Sequence, residues 1–131
     1  MDDFEYLRLT DFLAIAECNT CLTRADLTDN AELMARAHSA LWSATSPAYA
    51  TLVAKAAVLE FNLIRSRPLP HENVVVAHEC MKEFAYRNGY SFEDRRSDIN
   101  PNELFKAIID GAPDALSRLT AWLHNTLIPS S

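Results

Sequence analysis

The chain has 131 residues, room for one hydrophobic core and a single domain spanning 1–131, and too few for two. Apolar residues make up 49% of it and there are only two glycines, which argues against disorder and suits a helical domain. The formal net charge of −6 disfavours a nucleic-acid partner, because phosphate binding needs a basic face, and Arg65/Arg67 and Arg95/Arg96 cluster only loosely.

Helical signals begin early. Thr10 or Asp11 is placed to cap a short helix in which Phe12, Leu13, Ile15 and Ala16 recur at helical spacing, fading near Asn19-Thr20. Thr28 or Asp29 caps a second helix running to about Trp42, with Leu33, Met34, Ala37 and Leu41 inward. Ser46-Pro47 predicts a third start, an N-cap followed by proline at the first helical position. The helix it opens, "PAYATLVAKAAVLEFNLIRS", carries only Lys55 and Glu60 as charges before Arg65, the pattern of a buried central helix.

That helix stops before Pro68, since the residue preceding a proline resists helical geometry. Pro70 suits the first turn of the next helix, "HENVVVAHECMKEFAYR", which ends at Asn88-Gly89. Val74, Val75 and Val76 also suit a strand, but length and flanking signals select helix. "YSFEDRRSD" reads as a polar connection. Asn100-Pro101 opens another helix, Gly111 closes it, and Pro113 starts the last, with Leu116, Leu119, Leu123 and Leu127 on one stripe. Residues from Thr126 to Ser131 read as a frayed tail, and Trp42, Tyr49 and Trp122 as core or pocket-rim residues. The expected architecture is all-α, about six helices around a central buried one.

No apolar run approaches the ~20 residues of a membrane span, and the acidic "MDDFEYLRL" is unlike a signal peptide, so no membrane partner and a cytoplasmic location are expected. The three cysteines are an odd number in a chain too apolar to need staples, so disulfides are not expected. Cys18-Asn-Thr-Cys21 has the spacing of half a zinc site, and Cys80, His78 and His71 are the partners that would complete it; ordinary thiols are the simpler expectation, and no metal or cofactor is assigned. His71 and His78 lie seven apart, not at the three- or four-residue spacing of a helical metal pair, so His78 reads as a polar residue on a part-exposed face. Glu79 and Glu83 read as solvated helix charges.

The order of the pieces is informative. "YLRLTDFLAIAE", "ELMARAHSALWS", "YATLVAKAAVLEFNLIRSRPLPHEN", "EFAYRNGYSF" and "LSRLTAWLHNTL" follow one another in a way that resembles the Fic/Doc family, with "RPLPHENVV" where that family carries its "HPF-x-D/E-G-N-K/R-R" loop. The resemblance covers most of the chain. It implies a compact Fic/Doc-like bundle and, where the loop is intact, transfer of a phosphate-linked group from a nucleotide to a protein hydroxyl. In the family the histidine is the general base, the acidic residue holds Mg²⁺, glycine and asparagine present the loop to the phosphates, and the last arginine grips them.

Here Arg67 stands at the histidine position, Pro68 is retained, Leu69 replaces phenylalanine, and His71 takes the acidic position. Glu72 replaces the glycine, Asn73 is retained, and Val74 and Val75 stand where Lys-Arg would be. Guanidinium stays protonated and is no general base. Imidazole is a poor Mg²⁺ ligand. A carboxylate at Glu72 repels phosphate, and Val75 removes a bidentate clamp. Family-type nucleotide transfer is therefore not expected.

The altered loop still precedes a helix N-terminus, which favours an anionic group. A repurposed enzyme would anchor a small anionic substrate on Arg67, move protons with His71 and Glu72, and use Asn73 to position loop or substrate. Alternatively the loop is a simple cap, Arg67 pairs with Glu72 or Glu60, and the domain is a non-catalytic module binding a protein partner. A residual AMP- or phosphoryl-transferase of toxin type is the third reading.

Overall fold

The computed structural model describes residues 3–93 and 99–130. The first helix, α1 (Leu9–Asn19), starts ahead of both expected caps. Its N-cap is Arg8, whose N–H donates to the Asp11 carboxylate at 2.7 Å, so Asp11 acts from inside the first turn by reaching back. A short helix, α2 (Arg24–Thr28), follows, capped reciprocally by Thr23 and Asp26. Thr28 and Asp29 thus close α2 and do not open the next helix. That role falls to Asn30, whose Oδ1 accepts from Leu33 N–H at 3.0 Å to start α3 (Ala31–Ser43).

Ser46-Pro47 does not begin the central helix either. Ser46 heads a turn, accepting from Tyr49 N–H through its carbonyl and from Ala48 N–H through its hydroxyl. Lys55 holds that turn from beneath, its buried ammonium donating to the carbonyls of Ala44 and Ser46 at 3.0 and 3.2 Å and lying over the rings of Phe4 and Tyr6. The central helix, α4 (Leu52–Ser66), begins only where Thr51 Oγ1 can accept from Ala54 N–H. As its near-uniform apolarity predicts, it is buried on most sides, through Leu52, Ala56, Ala57, Val58, Leu59, Leu63 and Ile64.

After six residues α5 (Asn73–Arg87) packs against α4, with Val74–Val76 helical. It starts later than Pro70 because the chain turns through Glu72, and it ends at Asn88, with Gly89 at φ 84°. Two expectations fail at this end of the molecule. Tyr90–Phe92 is a strand, β1, not a polar connection, and the C-terminal tail is not frayed: Leu127–Pro129 forms β2, antiparallel to β1 with Tyr90 opposite Pro129 and Phe92 opposite Leu127. The apolar residues on both segments let them close over the core edge, and bonds from Glu93 N–H to Thr126 O and from Ser130 N–H to Gly89 O, both 2.7 Å, extend the pairing. The rest of the expected connection, residues 94–98, lies outside the described residues, as does Ser131.

Two helices complete the bundle. Asn100-Pro101 opens α6 (Pro101–Asp110) and Gly111, at φ 77°, closes it, both as the local signals require. The last, α7 (Ala115–Thr126), is entered through Asp114, one residue past Pro113. Leu119 and Leu123 are buried, Leu116 is half-buried, and Leu127 continues the buried line into β2. The described residues thus form a bundle of seven helices with a two-stranded ribbon, and α3, α5, α6 and α7 all pack on α4. Trp122 joins the core and Tyr49 is half-buried, whereas Trp42 is 69% exposed and stacks on His38. No described helix is long and apolar enough to cross a membrane.

Candidate functional site

Between α4 and α5 the chain reverses over residues 67–72, and each step has a local cause. Arg67 caps α4 in the left-handed region, φ 49° and ψ 60°. The carbonyls of Ser66 and Arg67 accept from the Arg36 guanidinium of α3 at 3.3 and 3.5 Å, which satisfies acceptors that a helix end leaves open. Pro68 and Leu69 turn inward and are buried. Asn73 then closes the loop: its Nδ2 donates to Leu69 O and its Oδ1 accepts from Leu69 N–H, both at 2.9 Å. The whole Asn73 amide edge is engaged in this clamp, so Asn73 positions the loop. Glu72, the N-cap of α5, is also left-handed, φ 63° and ψ 26°, and its side chain makes no capping bond.

The loop borders a hollow of about 360 Å³ lined by Arg67, Pro70, His71, Glu72 and Asn73 of the loop and helix start together with the apolar Ile64, Val74, Val75 and Ile109. All four residues singled out from the sequence therefore meet at one place. Arg67 pairs with neither Glu72 nor Glu60: among the described residues no carboxylate lies within ion-pair distance of it. His71 and Glu72 are exposed, and no hydrogen bond joins them. The first N–H groups of α5 have no intrahelical acceptor and open toward this end of the loop. The arrangement brings a guanidinium, an imidazole, a carboxylate and a helix N-terminus to the mouth of a small, half-apolar depression, which suits binding an anion and moving a proton.

Glu60 and His78 were not foreseen as a pair. Glu60 is fully buried in α4, with Oε2 3.0 Å from Nδ1 of His78 on α5 and Oε1 unpartnered. His78 is not merely a polar residue on a helix face; its ring is enclosed by Phe92 at 4.8 Å, Trp122 at 5.9 Å and Phe105 at 6.0 Å. The available signal was a lone glutamate inside an otherwise apolar helix. The pair lies outside the residues that line the loop hollow.

A second, larger hollow, about 890 Å³, is lined by the N-terminal segment, α1, α3 and Arg87 at the far end of α5, with Tyr6, Arg8, His38 and Trp42 among its walls. Arg87 crosses it to Asp11, donating to both carboxylate oxygens at 2.9 and 3.0 Å and to Glu83 at 2.8 Å. The Arg87 hydrogen bonds hold the Asp11 carboxyl below its ordinary value. The cysteines are scattered: Cys18 and Cys21 are exposed near the end of α1, and Cys80 is enclosed in α5, where burial pushes its thiol far up. Among the described residues no three His, Cys, Asp or Glu side chains are grouped as a metal site needs.

Comparison with protein-family models, with curated proteins and with solved structures returned no match.

Proposed function

We propose that this chain is a Fic/Doc-type domain that has lost nucleotide transfer and acts as an enzyme on a small anionic substrate at the Arg67–Asn73 loop. The observation that carries the reading is the backbone of Glu72. It sits at φ 63°, a conformation suited to glycine, at the one position where the resembling loop has its glycine. The retained asparagine, Asn73, closes the loop through both of its amide atoms. Both features support a framework that is kept while the chemistry-bearing side chains differ.

In this reading Arg67 anchors the substrate's anionic group, assisted by the α5 N-terminus, and the lack of a carboxylate partner for it among the described residues supports that role. His71 and Glu72, adjacent at the mouth, exchange the proton. The first test is native mass spectrometry of protein purified gently from its own host, compared with Arg67→Ala. The wild type should carry a small anion that the variant lacks, with melting temperatures within about 2 °C, since an exposed, unpaired side chain contributes little to stability. Incubation with adenosine nucleotides and Mg²⁺ should label neither the protein nor lysate proteins. Robust Mg²⁺-dependent labelling would favour the residual-transferase reading and overturn this one.

One observation favours a second reading, a non-catalytic module that binds a protein. Trp42 stands 69% exposed beside the larger hollow, and large exposed aromatic side chains are typical of interface anchors. A protein that co-purifies with the wild type and is lost in Trp42→Ala, with no small molecule bound, would move the assignment there.

A further inference from the structure

We propose that the occupant of the loop hollow is a singly charged carboxylate with a short aliphatic body, an inference that rests on the reading of the loop as a small-anion site. Four large apolar side chains are exposed among the described residues, Trp42, Val75, Tyr86 and Ile109, and two of them, Val75 and Ile109, line this one hollow. They come from different helices. Ile109 is held in place because Arg65 of α4 donates to the carbonyls of Ile108 and Ile109, both at 3.1 Å, and pins the end of α6 beside the loop. Gly111 permits this close approach, since a Cβ there would lie 3.3 Å from Arg65 Nη1. With Val74 and the buried Ile64 they make up the apolar part of the hollow's lining.

The polar side sets the charge. Among the described residues Arg67 is the one Lys or Arg lining the hollow, and Glu72 lines it too, so a second negative charge on the ligand is disfavoured by a nearby carboxylate. The Asn73 amide commits its oxygen and one N–H to Leu69, which leaves a single N–H for any further polar group on the ligand. The volume, about 360 Å³, falls at the small end of ligand pockets. A head group that one guanidinium neutralises, joined to a few methylenes that cover Val75 and Ile109, satisfies all three constraints.

The test is a ¹H–¹⁵N NMR titration of the full chain with acetate, butyrate, hexanoate and succinate. Affinity should rise by about fourfold per added methylene, with amide shifts centred on residues 67–75 and 109. Succinate should bind more weakly than butyrate. Val75→Ser with Ile109→Ser should flatten the chain-length dependence, weakening hexanoate far more than acetate, whereas Arg67→Ala should weaken every member. A flat series, or succinate binding as tightly as butyrate, overturns the aliphatic assignment and leaves the small-anion reading in place. Absence of shifts at residues 67–75 with every carboxylate, or binding indifferent to Arg67→Ala, overturns both. So does a chain-length dependence whose shifts map to the Trp42 hollow.

Discussion

At φ 63° and ψ 26° the Cβ of Glu72 crowds the following carbonyl oxygen, a contact that glycine avoids. Two non-glycine residues in this loop hold left-handed geometry, Arg67 and Glu72, so its backbone carries strain that Leu69 burial and the Asn73 clamp must offset. Replacing Glu72 with glycine relieves one of the two contacts. The variant should gain about 1 kcal/mol, which raises the melting temperature by about 2–4 °C for a domain of this size. If Glu72 also shuttles a proton, the same variant loses turnover, so the more stable protein is the less active one. A lower melting temperature would show that the Glu72 side chain contributes more to folding than its backbone costs.

Between elements, two polar contacts tie the long helix α5 to its neighbours. Glu60 and His78 join α4 to α5 beneath three aromatic rings. Removing one partner of a buried pair strands the other, so His78→Ala should cost about 3 kcal/mol in urea unfolding. The double change Glu60→Leu with His78→Leu should recover most of that loss, because no polar group is then left buried without its partner. Asp11 and Arg87 join α1 to α5. The Asp11 carboxyl is held below its ordinary value of 3.8, so its contribution is fully present above that value and disappears as pH falls through the lower folded one. Arg87→Met should therefore be less stable than wild type at pH 7, and the difference should shrink in unfolding curves recorded at about pH 3.

For the molecule as a whole, the small ribbon closes the bundle. The last strand brings Leu127 into the core and pairs with β1 next to Phe92 and Trp122. Deleting residues 127–131 removes a buried leucine together with the strand pairing and should cost at least about 3 kcal/mol in urea unfolding. A frayed tail, by contrast, would be lost without effect. The loop site likewise depends on packing between distant elements. Ile109 reaches the hollow only because α6 packs on α4, so one wall of the candidate site depends on the far half of the chain.

The sequence by itself determined what depends on neighbours along the chain. The apolar periodicity of α4, the stops at Arg67-Pro68, Asn88-Gly89 and Gly111, and the start at Asn100-Pro101 each follow from side-chain spacing or from the φ that proline and glycine permit. The crowding of Arg67, His71, Glu72 and Asn73 at one helix start was legible for the same reason, since seven consecutive residues cannot be far apart. Tertiary structure alone decided what depends on distant partners. Lys55 holds the turn that opens Ser46–Thr51 by donating to the carbonyls of Ala44 and Ser46, and Tyr90–Phe92 becomes a strand because Leu127–Pro129 lies beside it. Glu60 and His78 become a buried pair, Trp42 is left facing water, and Ile109 is set against the loop. No local window carries such information, because a charge, a tryptophan or a short apolar run takes its role from whichever surface the fold lays against it.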